Sequence, residues 1–361
     1  MKRANVPKEP ASIQEIPCPL PEEFRKTGGT ENSDFLLYDN CSETDRMLIF
    51  GSDTGLRILA DSDSWFMDGT YDTAPSQFSQ LYVIRSAVGD TYATCIYAFL
   101  PSKQQSVYEE LLSSVLDSCL LRNLRPNPTR VVVDFEMAIH NAIKSVLGNS
   151  VEIQGCFYHL TQSTWRRVQS EGLQAVYLSD EEVRHFCGKI DGLAFLPVTD
   201  VSDGISYLRE TAPECLSGIV DYFDSTYVSG GFKTVRGENG SLRFRRTPPR
   251  FPPHTWNVHE ATINDLSRTN NVCEGWNHAF KTLVGHSNPS LWYVINCLQK
   301  DNCDVETVYE QHCQGLPPKR RKNKKNNKQQ QRLKHLCSLF VSKEKSLVEF
   351  MEAIGNCVRL H

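Results

Sequence analysis

Residues 65–165 alternate between an apolar period of two and one near 3.6, and nothing else in the chain restricts the fold as much. Three strand-like runs come first. Trp65–Asp72 puts Trp65, Met67 and Tyr71 on one face, with Phe66, Asp68, Thr70 and Asp72 on the other. Gln80–Ala87 and Tyr92–Leu100 follow, with Gly89-Asp90 between them as a hairpin signal. Val107, Leu111, Val115 and Cys119 then recur at helical spacing, widened by Leu112 and Leu116, before Pro126 and Pro128. Val131-Val132-Val133-Asp134 is a short continuous apolar run, the mark of a central strand covered on both faces. Ile139, Ile143, Val146 and Leu147 give a second helix ended by Gly148. Val151–Phe157 is a fifth strand, and a helix runs on through Trp165. The order β-β-β-α-β-α-β-α predicts an α/β fold, a mixed five-stranded sheet with helices on both faces. A right-handed crossover can set the fourth strand parallel to the first, bringing Asp134 beside Asp68.

An acid inside a buried-looking strand is costly unless something pairs with it. Asp68 and Asp134, joined by a carboxylate on a helix, have the chemistry to hold divalent cations. Hard, six-coordinate ions that keep their waters suit such oxygen ligands, which favours Mg²⁺, with Mn²⁺ as a substitute. Glu274 is the helix candidate, within Thr269-Asn270-Asn271-Val272-Cys273-Glu274-Gly275-Trp276-Asn277-His278. That helix is expected to reach Val284 and stop at Gly285, with Val272, Trp276 and Phe280 on its apolar side and Glu274, His278 and Lys281 sharing a polar side. Plainer readings stay open at this point. Asp134 could be a helix N-cap, Asp68 could bond a backbone amide while Asp72 serves as ligand, and Glu274 could close a capping box with Asn271.

Outside this core the chain changes character. Residues 1–34, with Pro7, Pro10, Pro17, Pro19 and Pro21, read as extended or poorly ordered. A first core segment spans 35–177 and a mainly helical insertion 178–265, where Ser179 with Glu182 reads as a capping box and Asn239-Gly240 as the turn of a small hairpin between Val235 and Phe244. Residues 266–312 complete the core, 313–334 form a basic linker read as disordered, and 335–361 a last amphipathic helix. The N-terminus lacks the apolar region of a signal peptide, and no apolar run reaches a membrane span of roughly 18 residues. Thirteen cysteines, scattered without a disulfide framework, suit a reducing compartment. Formal net charge is only −4, so any nucleic-acid surface is local. Two places qualify: Arg243, Arg245, Arg246 and Arg250 near Trp256, and the run holding Lys319, Arg320, Arg321, Lys322 and Lys328. The first can hold DNA backbone with Trp256 stacking an unpaired base, or it is a solvated basic loop beside a buried Trp256. The second reads as a nuclear import signal, a phosphate-binding tail or a solvated tail.

Asp68-Gly69-Thr70, Asp134 behind its apolar strand, Cys156-Phe157-Tyr158-His159, and Asn270-Asn271 with Glu274-Gly275-Trp276 resemble, in order, the catalytic core of the Mutator-like element (MULE) transposases. The resemblance covers about residues 35–310. It implies an RNase H-like DDE domain interrupted by a helical insertion, with Asp68, Asp134 and Glu274 as catalytic acids and ligands of two Mg²⁺ ions. Its implied activity is DNA strand cleavage and strand transfer, in the nucleus, on transposon ends and target DNA. Cys156 and His159 match a Cys-x-x-His element of the family and, with His278, are read as supporting the site; half a zinc site does not make one. Lys281 joins the DNA-facing candidates. Self-association is left open. The sequence departs from the pattern twice: no Cys/His array precedes Asp68, and Phe135-Glu136 follows Asp134 where glycine is usual. A domesticated, non-catalytic DNA-binding or scaffold protein and an RNase H-type nuclease are the alternative functions.

Overall fold

The computed structural model describes residues 7–28, 32–236, 241–316 and 324–358. These form two compact units. One comprises the chain before Gln154 together with Asn270 to residue 316, the other Gln154–Thr269 with the residues from 324 on.

The first unit is built on a mixed sheet. In chain order its elements are β1 (Leu36–Asp39), β2 (Leu48–Phe50), α1 (Asp53–Ala60), β3 (Ser64–Thr70), β4 (Gln80–Val88), β5 (Thr91–Leu100), α2 (Gln105–Leu120), β6 (Arg130–Val133), α3 (Met137–Val146), β7 (Glu152–Gly155), and, after the second unit, α4 (Asn271–Val284) and α5 (Leu291–Cys313). Strand order is β1-β2-β5-β4-β3-β6-β7. The apolar pattern marks the last five; seven form. β1 and β2 are four and three residues long, too short for a period to show, and they extend the β5 edge antiparallel.

Both faces of the sheet are covered, and β6 shows how. Val131 and Val133 join the core beneath α2 and α3, with Trp65, Met67, Leu111, Val115 and Ile143. Val132 points the opposite way, with Phe66, Val83 and Tyr97, into a core closed by Trp276 and Phe280 of α4 and Trp292 and Ile295 of α5. The crossover through α2 lays β6 parallel to β3, Phe66 opposite Val132, as the right-handed rule anticipates.

The proline-rich N-terminal segment is not loose where it is described. Ile16, Leu20 and Phe24 are buried in the α4–α5 core, and Phe24 stacks on Trp292 with ring centroids 4.4 Å apart. Arg46, 2% exposed, forks onto Asp39 (2.9 and 2.6 Å) and donates to the carbonyls of Ile16 (2.6 Å) and Pro17 (2.7 Å). Cys18 and Cys41 are joined in a disulfide, Cα atoms 5.9 Å apart, although the cysteines show no disulfide framework in the sequence. Their spacing gives no hint of it. The pair meets because the strap and the loop after β1 share the Arg46 anchor.

The second unit is mainly helical, with one ribbon, β8 (Gly231–Arg236) and β9 (Leu242–Thr247), where the Asn239-Gly240 turn signal predicts a hairpin. At Glu181–Gly192 the N-cap is Asp180, accepting from the amides of Glu182 and Val183. Ser179 instead ends the preceding helix, so the expected capping box does not form; the cap is one residue later and one-sided, with Val183 at the position where a box needs Glu or Gln. The helix Lys324–Val341 takes up the second half of the stretch that composition marks as a linker. The helix Leu347–Gly355 is opened by a capping box of Ser346 and Glu349. It lies against Glu181–Gly192, with Lys189 paired to Glu352 at 2.8 Å. A Cβ on Gly188 would meet the carbonyl of Gly355 at 2.5 Å, so the backbones approach closely there.

Candidate active site

The register of β3 with β6 runs Ser64–Arg130, Trp65–Val131, Phe66–Val132, and two further steps set Asp68 across from Asp134. Asp68 lies on the face of Phe66, toward α4. Its Oδ2 accepts the Asn277 amide at 3.0 Å. Burial pushes its pKa up to about 7, and the negative charges of Asp134 and Glu274 add to that; the Gly69 amide and Asn277 pull the other way. A Cβ on Gly69 would meet Gln80 Oε1 at 2.3 Å, so a larger residue there would push aside the Gln80 side chain that donates to Tyr108.

Asp134 follows β6 directly. Its Oδ1 accepts the Phe135 N–H at 2.5 Å, while its carbonyl accepts from His140 Nε2 at 2.9 Å, a bond that requires the proton on Nε2. Burial lowers the His140 pKa, which favours that neutral ring. The N-cap of α3 is Glu136, so Asp134 is not spent on capping.

Glu274 projects from the first turn of α4. Its pKa is raised by burial first and then by Asp134. Its Oε1 is buried and meets no hydrogen-bond partner among the described residues. The capping-box reading fails here: α4 is capped at Asn270 with no side-chain cap bond, and the Asn270 amide donates instead to the Met67 carbonyl at 2.6 Å. Asn270, Glu274, Asn277 and Lys281 form one stripe (i, i+4, i+7, i+11) laid along β3, and at its far end Lys281 pairs with Asp72 at 2.5 Å.

Packing behind α4 fixes its rotation. Trp276 donates to Asp301 of α5 at 2.9 Å, and the same carboxylate accepts from Tyr97 of β5 at 2.5 Å. Trp276 stacks on Phe280 at 4.6 Å. Arg85 of β4 donates to the carbonyls of Val272 and, at 3.0 Å, Tyr92. Buried positions on the helix are Cys273, Trp276, Phe280 and Val284, with Val272 only partly covered.

In front, Asp68 and Asp134 line a small cleft of ≈ 20 Å³ with Gln80, Tyr82, Lys103 and Glu136. Lys103 pairs with Glu136 at 3.0 Å, so that fourth acid has its own cation. The cleft has room for a water- or ion-sized occupant. A larger cavity of ≈ 540 Å³ in the second unit, lined by Val198, Val201, Arg246 and Pro248 among others, has no carboxylate on its walls.

The other candidates fall as follows. His278 is exposed on the outer side of α4, and the site-facing position belongs to its neighbour Asn277, which sequence reasoning missed. Counting i+3 rather than i+4 from Glu274, or i+7 from Asn270, finds it. Cys156 is buried at the N-cap of the helix Phe157–Ser170 and His159 lies in its first turn, both in the second unit. Arg243, Arg245 and Arg246 are exposed on β9, and Arg250 is exposed beside the Phe251 ring, 5.5 Å from its centroid. Trp256 cannot stack on a base: it is 0% exposed, with its indole N–H on the carbonyls of Tyr227 and Phe251. Lys319, Arg320, Arg321 and Lys322 lie outside the described residues.

What the fold and site define together is a mixed α/β sheet carrying a carboxylate centre at the end of two adjacent parallel strands. Residues 64–163 match the family model of the MULE transposase domain, so over this span, which holds Asp68, Asp134, Cys156 and His159, the chain is transposase-related. No curated protein matches the chain. No helix among the described residues is long and apolar enough to cross a membrane.

Proposed function

We propose that the chain is a DDE-type transposase-like enzyme on an RNase H-like core, cleaving and transferring DNA strands with Asp68, Asp134 and Glu274 as its acids. One observation supports the reading best: Asp68 and Asp134 stand at the ends of adjacent parallel strands, and Glu274 lies one helical turn from Asn277, whose amide donates to Asp68 Oδ2 at 3.0 Å. Left alone, that cluster is unfavourable. Asp68 is driven toward its protonated form and Glu274 Oε1 is buried without a partner among the described residues. An all-oxygen donor set short of positive charge fits Mg²⁺ or Mn²⁺.

Asp68, Asp134 and Glu274 would hold the metal, and a bound ion pair supplies Lewis-acid stabilisation of the attacking and leaving oxygens of phosphoryl transfer. The chain's own residues do the rest. Asn277 orients the Asp68 carboxylate, and Asn270 ties α4 to β3, keeping Glu274 in register with the strand acids. Asp301, through Trp276, keeps the helix from rotating away. Lys103 neutralises Glu136, so it does not compete for the ions.

Incubating the protein with labelled DNA carrying candidate element ends and Mn²⁺ tests the reading. Metal-dependent nicking, abolished in Asp68→Ala and Glu274→Ala, is the expected result. No cleavage by wild type, or cleavage indifferent to both substitutions, would favour the non-catalytic DNA-binding reading. Preference for RNA–DNA hybrids in a substrate panel would favour the nuclease. Action in the nucleus is part of the proposal and rests on the basic run that includes Lys319–Lys322.

A further inference from the structure

The β8–β9 ribbon has both faces in solvent. Its strands pair antiparallel from Gly231 opposite Thr247 to Arg236 opposite Leu242. Phe232, Leu242 and Phe244 are 73%, 67% and 79% exposed. Strand alternation puts Lys233, Val235, Arg243 and Arg245 on one face, and Phe232, Arg236, Leu242, Phe244 and Arg246 on the other. The described ribbon contains no acid, and no described carboxylate forms an ion pair with any of its five cations. Lys233 stands directly opposite Arg245, a like-charge pairing that destabilises a ladder. An isolated two-stranded hairpin is marginal to begin with. Among the described residues nothing offsets that repulsion, and an outside polyanion would. A second copy of the chain is a poor occupant, because it would bring five more cations against these five.

We propose that this ribbon is a DNA-binding arm, its Lys233–Arg243–Arg245 face set against phosphates and Phe232 and Phe244 packed on the exposed edges of bases. A two-stranded ribbon has the width to enter the major groove of duplex DNA. That the polyanion is DNA rests on the transposase reading; the arm's binding does not need the three acids. It supplies affinity through backbone charge rather than sequence.

The test is duplex binding by the full chain, in EDTA, followed by fluorescence anisotropy across a salt series. Replacing Lys233, Arg243 and Arg245 together by Gln removes three phosphate contacts, so the slope of log affinity against log salt should flatten by about 2.7. At low salt the affinity should fall at least about ten-fold, with the melting temperature not lowered. Phe232→Ser with Phe244→Ser should weaken binding and leave the slope unchanged, since no charge is lost. If both ribbon variants bind in this way while wild type fails to nick DNA in Mn²⁺, the catalytic reading falls and the arm stands. Wild-type affinity and slope in both ribbon variants would overturn the proposal. So would a wild-type dimer that the Phe pair dissociates without changing DNA affinity, or loss of binding to phosphatidylserine vesicles with duplex binding intact.

Discussion

Burial and two neighbouring carboxylates lift Asp68 to about 7, against 3.8 in an unstructured chain, and the sign of the stability effect follows. Between these values the folded state holds a proton that the unfolded state has lost, so stability falls as pH rises through this window. About three pH units at about 1.4 kcal/mol each put the cost on the order of 4 kcal/mol once the group is ionised. Asp68→Asn should therefore stabilise the metal-free protein at pH 8 and leave it nearly unchanged at pH 4, in paired thermal melts. An equal effect at both values would mean that Asp68 is not strained. Asn277→Ala removes the amide that favours the ionised Asp68. A charge-assisted hydrogen bond is worth about 1.5–3 kcal/mol, so Mn²⁺ affinity by calorimetry should drop about ten-fold or more, with the binding midpoint moved to higher pH. Unchanged affinity would make Asn277 a bystander.

At the scale of elements, the N-terminal strap depends on Arg46. Its guanidinium is buried against Asp39 and two strap carbonyls, and truncating one partner of such a pair leaves the other charged and buried. Arg46→Ala should cost about 3–5 kcal/mol in denaturant unfolding. A loss under 1 kcal/mol would show that the strap is held by Ile16, Leu20 and Phe24 alone. This strap was the least legible element in the sequence. Its prolines speak against any long regular element, and among its described residues only the short helical turns Ile13–Glu15 and Glu22–Arg25 form; Ile16, Leu20 and Phe24 recur every fourth residue, but Pro17, Pro19 and Pro21 between them mask that spacing. β1 and β2 were hidden because they are only four and three residues long, too short for a period to stand out. The parallel pairing of β3 with β6 was readable, because Val131–Val133 demands burial on both faces and chain handedness leaves few places for it. The helix that carries Glu274 was readable, but the partners of Glu274 along α4 were not. The apolar stripe fixes the buried face of that helix without saying which polar neighbour, Asn277 or His278, turns toward β3.

At the scale of the whole molecule, the first unit carries the acids and the second carries the basic ribbon. The domain boundary was harder to read than either. The last helices, Lys324–Val341 and Leu347–Gly355, return to the second unit through contacts such as Lys189–Glu352, which no local pattern announces. The proposed chemistry still comes down to whether Asp68, Asp134 and Glu274 gather divalent ions. Anomalous diffraction from crystals of the full chain soaked in Mn²⁺ tests that most directly. Two anomalous peaks bounded by these three carboxylates, both lost in Asp68→Ala, are the expected result. Crystals with no manganese at the three acids, under conditions where it binds elsewhere on the protein, would contradict it.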